Sequence, residues 1–164
     1  MNARDDAQAR VWTHEELKAA VGREIHLSDW VPVDQARIDR FADATGDHQW
    51  IHVDRERARA SPFGSTIAHG YLTLSLIAGF SHQGFRIQER MSINYGLNKV
   101  RFPSPVPEGS RVRARFVIKS VEEADASAFG PDARGLQIVA TVTIEREGGD
   151  KPACVAETVR LSFA

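Results

Sequence analysis

Ile67-Ala68-His69-Gly70-Tyr71-Leu72-Thr73-Leu74-Ser75-Leu76-Ile77-Ala78-Gly79-Phe80 is the stretch on which the fold turns. From His69 onward its apolar residues fall nearly all round a helical wheel: Tyr71, Leu72, Leu74, Leu76, Ile77, Ala78 and Phe80. A helix without a polar face must be buried on most sides. The run is broken by His69, Thr73 and Ser75, and it is too short to cross a bilayer. Something else in the chain is therefore expected to wrap around it.

The wrapping comes from the C-terminal half. Ser92 to Phe102 reads as a strand, and Pro103, Pro105, Pro107 and Gly109 mark the turn after it. Val112, Ala114, Phe116 and Ile118 alternate with Arg111, Arg113, Arg115 and Lys119, the signature of a half-exposed strand. The three arginines are expected on a solvated outer face, with contact to phosphates as the functional alternative. Leu136, Ile138, Ala140, Val142 and Ile144 alternate again, and Val155, Val159, Leu161 and Phe163 share a parity in the last strand. Short turns between successive strands favour antiparallel pairing. A sheet wrapped around one buried helix is an α+β arrangement. The polar segment from Asp125 to Gly135 reads as a mobile hairpin loop.

The N-terminal half supplies short helices. Thr13 and Glu16 form a candidate capping box for a helix running to about Val21, with Gly22 as its stop. Ile25 to Val33 is strand-like. Asp34 can cap a helix carrying Ile38, Phe41 and Ala42, which Gly46 ends. Asp54 can cap another, from Arg55 to Ala60, which Ser61-Pro62-Phe63-Gly64 breaks. Residues 1–10 read as a disordered leader and 11–164 as a single domain.

This layout puts Asp47 on a loop just past a helix end, five residues before His52. Seventeen residues after His52, His69 and Gly70 open the apolar helix. A carboxylate and an imidazole can share general acid/base work, and the N–H of a first-turn glycine can polarise an oxygen. His69 is expected to pack or cap at the helix start, and His14, His26, His48 and His82 to lie on the surface.

Composition removes several classes of function. The 164 residues are 42% hydrophobic with a net charge of -1, enough for one core and without the basic face a nucleic-acid partner would want. The one cysteine, Cys154, cannot form an internal disulfide or a thiolate metal site, which suits a reducing cytoplasm. The polar N-terminus, Met1-Asn2-Ala3-Arg4-Asp5-Asp6, has no apolar signal core. No membrane segment, metal or cofactor is expected.

Phe41-Ala42-x-x-Thr45-Gly46-Asp47-x-x-x-Ile51-His52-x-Asp54, followed by Phe63-Gly64-x-x-Ile67-Ala68-His69-Gly70, resembles the hydratase motif of MaoC-like (R)-specific enoyl-CoA hydratases. Gln49-Trp50-Ile51-His52 and Asn94-Tyr95-Gly96-Leu97-Asn98-Lys99 are most similar to the nodulation-protein-N-like branch. The resemblance spans roughly residues 20–163. It implies a hot-dog fold, a homodimer with a CoA or acyl-carrier thioester bound near the interface, and reversible hydration of a trans-2-enoyl thioester to an (R)-3-hydroxyacyl thioester. It places catalysis on Asp47 and His52 and the oxyanion donor on Gly70. Ala68 and His69 flank that donor, and Tyr95 and Asn98 border the site. Two departures stand out. The family's usual Asn-Pro is Gln49-Trp50 here, and Trp50 cannot copy the fixed φ of proline. A helix serine of some members aligns with Ala78. The competing activities are hydrolysis by a hot-dog thioesterase and a non-catalytic thioester-binding module.

Overall fold

The computed structural model describes residues 9–129 and 134–164. Its centre is α5, Gly70–Gly84, which runs four residues beyond the expected end at Phe80. The strands Glu24–Leu27 (β2), Val31–Val33 (β3), Met91–Arg101 (β5), Ser110–Ala124 (β6), Gly135–Arg146 (β7) and Cys154–Phe163 (β8) form one antiparallel sheet. Its order is β2-β6-β7-β8-β5, with β3 also paired to β6. The sheet curls around α5, which contacts β2, β6 and β8. The α+β arrangement follows from the strand periodicity. Val112, Ala114, Phe116 and Ile118 of β6 and Ile138, Val142 and Ile144 of β7 turn one parity to the core with Leu72 and Phe80 of α5.

The strand expected over 25–33 is two strands. Ser28 and Asp29 break it. The buried Ser28 hydroxyl accepts the Ala114 N–H at 2.9 Å while its own N–H goes to the Ala114 carbonyl. The chain thus bends without leaving the edge of β6. A second small sheet has no counterpart in the sequence reading. Arg10–Trp12 (β1) pairs in parallel with Phe85–Ile87 (β4), directly after α5. Arg10 therefore belongs to a strand and not to a leader; residues 1–8 lie outside the described residues. Residues 130–133, within the expected hairpin loop, also lie outside them.

The N-terminal caps match the sequence, whereas α1, His14–Ala19, ends with Ala20 as its C-cap, short of the stop expected at Gly22. Thr13 and Glu16 cap each other's backbone at the start of α1. Asp34 caps α2, Gln35–Thr45, through the Arg37 N–H at 2.8 Å. Gly46 ends α2 in the left-handed region, φ 73°, which a residue with a β-carbon adopts only at a steric cost. A one-turn helix, α3 (Trp50–Val53), was not expected; α4 is Arg55–Arg59, capped by Asp54.

Two expectations about burial need correcting. Helix α5 is not covered on most sides: Tyr71 is 71% exposed, and Ser75, Ala78 and Gly79 are exposed with it. Beside this face runs β5, an edge strand exposed along most of its length, with Ile93, Tyr95 and Leu97 open to solvent. His26 is not a surface residue. Its ring stacks on Phe116 (5.7 Å) and meets Phe85 edge-on (5.9 Å), directly beneath Gly84. Space is what requires glycine at 84, since an added β-carbon would fall inside the imidazole. On the opposite face of the sheet, Arg111 pairs with Glu147, Arg113 with Glu145, and Arg115 with Glu24 and Glu145. These arginines are thus already matched by carboxylates.

Candidate active site

Asp47, His52 and His69 converge. One oxygen or nitrogen from each lies within 4.8 Å of the other two. Three separate elements bring them there. Asp47 follows Gly46, so the left-handed turn at the end of α2 aims it away from the helix. Its Oδ1 accepts the Gln49 N–H at 3.3 Å, and its side chain stays half-exposed. His52 lies on the buried side of α3. His69 directly precedes α5.

The two imidazoles are tied by opposite nitrogens. His52 Nδ1 is 2.6 Å from the Ile67 carbonyl oxygen. A carbonyl only accepts, so Nδ1 carries the proton and Nε2 presents a lone pair. Burial pushes the His52 pKa below its ordinary value, against the opposing pull of the Ile67 carbonyl, so the ring is neutral near pH 7. His69 Nε2 lies 2.9 Å from the Asp47 backbone carbonyl, which fixes its proton on Nε2 by the same argument. Its Nδ1 is buried with no partner among the described residues. His69 makes no side-chain cap to α5; it holds the backbone of the loop at Asp47 instead. Asp47, His52 and His69 are also ligand types that could hold a metal ion; with Nε2 engaged by the Asp47 carbonyl, His69 would offer Nδ1.

Gln35 is a site residue the sequence reading passed over. It is buried, and its amide nitrogen donates to the His52 carbonyl (2.8 Å) and to Asp39 (2.7 Å). Its amide oxygen accepts from the Thr66 hydroxyl. One side chain thus joins α2, α3 and the segment leading to α5. The signal was available: Gln35 sits three residues before Ile38 on the buried stripe of α2, and a polar group on an apolar face requires partners.

Gly70 opens α5, so its N–H lacks an intrahelical acceptor and sits at the positive end of the helix dipole. The Phe102 ring lies against it, and a β-carbon at 70 would come within 3.0 Å of that ring. Ala68 flanks Gly70 but has no donor free, because its N–H is bonded to the Val106 carbonyl at 2.8 Å. Tyr95 and Asn98 lie on the open edge strand β5, with Asn98 beside Glu157. Ala78 lies two turns along α5 from Gly70.

The departure at Trp50 has a local explanation. Trp50 is the first residue of α3, the position proline favours because its N–H needs no partner there. Helical geometry sets the φ that proline would have imposed. The Arg57 guanidinium, 4.4 Å from the Trp50 ring, holds the indole in place.

Residues 16–131 match the family described as the MaoC like domain. The chain is 51% identical over 145 residues to 3-hydroxyacyl-thioester dehydratase Z of Mycobacterium tuberculosis strain H37Rv, covering 88% of this chain and 91% of that protein. It is 46% identical over 149 residues to nodulation protein N of Rhizobium leguminosarum bv. viciae, covering 89% of this chain and 88% of that one. Among solved structures it resembles the (R)-hydratase from A. caviae involved in PHA biosynthesis, at TM-score 0.63 and 26% identity over 85% of this chain and 94% of that one. Sheet and helix share the hot-dog fold of these proteins.

Proposed function

The chain belongs to the MaoC-like family, and from that membership we propose that it hydrates trans-2-enoyl thioesters to (R)-3-hydroxyacyl thioesters and catalyses the reverse dehydration. It is an enzyme of the hydratase/dehydratase type. The observation that carries the reaction is the fixed tautomer of His52. With Nδ1 tied to Ile67, Nε2 is left to act as base, and His52 clusters with the Asp47 carboxylate, which supports a water held between an imidazole and a carboxylate.

The chemistry then runs as follows. The thioester oxygen takes a hydrogen bond from the Gly70 N–H, which makes C3 electrophilic. Water bonds through oxygen to C3 as the Asp47/His52 pair removes one of its protons. The C2–C3 π pair moves onto the enolate held at Gly70, and C2 receives a proton from the same pair. Base and acid are shared across a coupled pair rather than divided between its members. No step uses a cofactor. Cys154 takes no part: burial pushes its thiol up to about 11.

The open face of α5 and the free edge of β5 support a homodimer that closes the sheet across a two-fold axis, with the CoA or acyl-carrier portion of the substrate near the junction. No helix among the described residues is long and apolar enough to cross a membrane.

The test is a crotonyl-CoA assay that follows conjugated enoyl absorbance and free thiol together. Hydration removes the absorbance without releasing thiol, and Asp47→Asn lowers the rate by about 10²–10⁴-fold. Thiol release would establish a thioesterase instead. Full activity in Asp47→Asn would remove Asp47 from the mechanism.

A further inference from the structure

A cavity of about 290 Å³ lies between α5 and the concave face of the sheet. Its walls are largely apolar, with Leu74 and Ile77 from the helix and Phe116, Ile118 and Ile138 from the sheet. It begins at Tyr71, next to Gly70, and follows α5 to Ser81, a helical path of about 15 Å.

One lining residue does not fit this wall. The pairing of β7 with β8 sets Ile144 opposite Cys154, Val142 opposite Ala156, Ala140 opposite Thr158 and Ile138 opposite Arg160. Side chains alternate along a strand, so Arg160 shares the inward parity of the buried Cys154 and Ala156. It is half-buried and, among the described residues, is the only charged one lining the cavity. Among the described residues no carboxylate lines the cavity, and none makes an ion pair or side-chain hydrogen bond with the Arg160 guanidinium, whose backbone alone is paired in the sheet. The contrast with Arg111, Arg113 and Arg115 is direct, because each of those has its carboxylate. Beside Arg160 stand Thr158 on the same strand and Asn94, its register partner on β5. A guanidinium fork among neutral polar groups is built to receive a planar anion.

The position is as telling as the charge. Asn94 lies near the start of β5, and Phe102, the ring against Gly70, follows its end. Tyr71, which follows the Gly70 donor in the chain, an apolar stretch and one cation thus lie along the same cavity wall. We propose that the acyl group preferred by this protein ends in a carboxylate, bound by Arg160 with help from Asn94 and Thr158. A plain alkyl end would leave the guanidinium desolvated and unmatched. The proposal rests on the thioester reading of the Asp47/His52 site and adds the chemistry of the substrate's far end.

The experiment compares trans-2-enoyl-CoA esters of eight, ten and twelve carbons with and without an ω-carboxylate. At the matching length, wild type favours the ω-carboxy ester in kcat/KM by about tenfold or more. Arg160→Leu reverses that preference, and Arg160→Lys keeps part of it. A wild-type preference for the plain ester at every length, unshifted in Arg160→Leu, overturns the proposal. So does a variant that changes only the oligomeric state, since Arg160 would then serve a subunit contact. Calorimetry with saturated dodecanedioyl-CoA and dodecanoyl-CoA separates this from failure of the hydratase reading. Tighter binding of the diacid ester, lost in Arg160→Leu, sustains the proposal even if no enoyl ester is hydrated; equal binding of the two esters overturns it.

Discussion

The imidazoles of His52 and His69 lie face to face, their centroids 3.7 Å apart and their planes 25° from parallel. Each ring is anchored by one N–H to a backbone carbonyl, His52 to Ile67 and His69 to Asp47. The stack therefore couples the loop carrying the Asp47 carboxylate to the His52 ring. His69 is a positioning residue in this arrangement. His69→Phe preserves an aromatic ring over His52 but removes the N–H that holds Asp47. We expect kcat to fall by about 10²-fold with little change in KM or Tm. An unchanged kcat would show that the Asp47 carbonyl needs no tether.

The pH response follows from the buried state of His52. Its native pKa lies below the ordinary histidine value of about 6.5, with burial as the largest cause. The acidic limb of the kcat/KM profile should therefore fall below about pH 6.5. Stability has the same sign. The unfolded chain takes up the proton first as pH falls, so the contribution of His52 is intact above about pH 6.5 and lost as pH drops through the lowered native pKa. His26, also lowered by burial, adds to this loss. Urea midpoints from pH 7.5 to 5 should decline, and less steeply in His26→Phe. An acidic limb above pH 7 would contradict the burial argument.

Gln35→Leu removes three hydrogen bonds at one position. The Thr66 hydroxyl and the His52 carbonyl would be left unmatched in a buried setting. The expected loss is about 2–3 kcal/mol by denaturant unfolding, accompanied by weaker turnover because α3 loses its link to α2. Stability within experimental error of wild type would mean that water replaces the amide.

Gly84→Ala drives a methyl group into the His26 ring. We expect it to destabilise the protein by about 1–3 kcal/mol. His26→Ala combined with Gly84→Ala should recover part of that loss, because the obstruction is one side chain. Two changes that simply add would place the strain elsewhere.

The sequence made caps and strand parity legible because both are local. Thr13, Asp34, Gly46 and Asp54 act within a turn of their own positions, and β6, β7 and β8 alternate over long spans. What it concealed depends on distance. The pairing of β1 with β4 joins residues 75 positions apart in segments only three residues long, too short for a period to emerge. The burial of His26 depends on a glycine 58 positions away, and the neighbours of Gln35 come from two other elements. At the site, the Asp47 to His52 spacing could be read directly, but the hydrogen bond from His69 to the Asp47 backbone could not, because it is made by a ring to a carbonyl 22 residues earlier.

Helix α5 carries Gly70 at its first turn and lines the cavity as far as Ser81. This shared scaffold has a practical consequence for redesign. Reshaping the helix would also disturb the position of the Gly70 N–H at its first turn. Ile138, Thr158 and Arg160 reach the same cavity from the sheet, without belonging to the element that presents Gly70. Libraries intended to alter substrate range should vary that wall and leave the helix sequence alone.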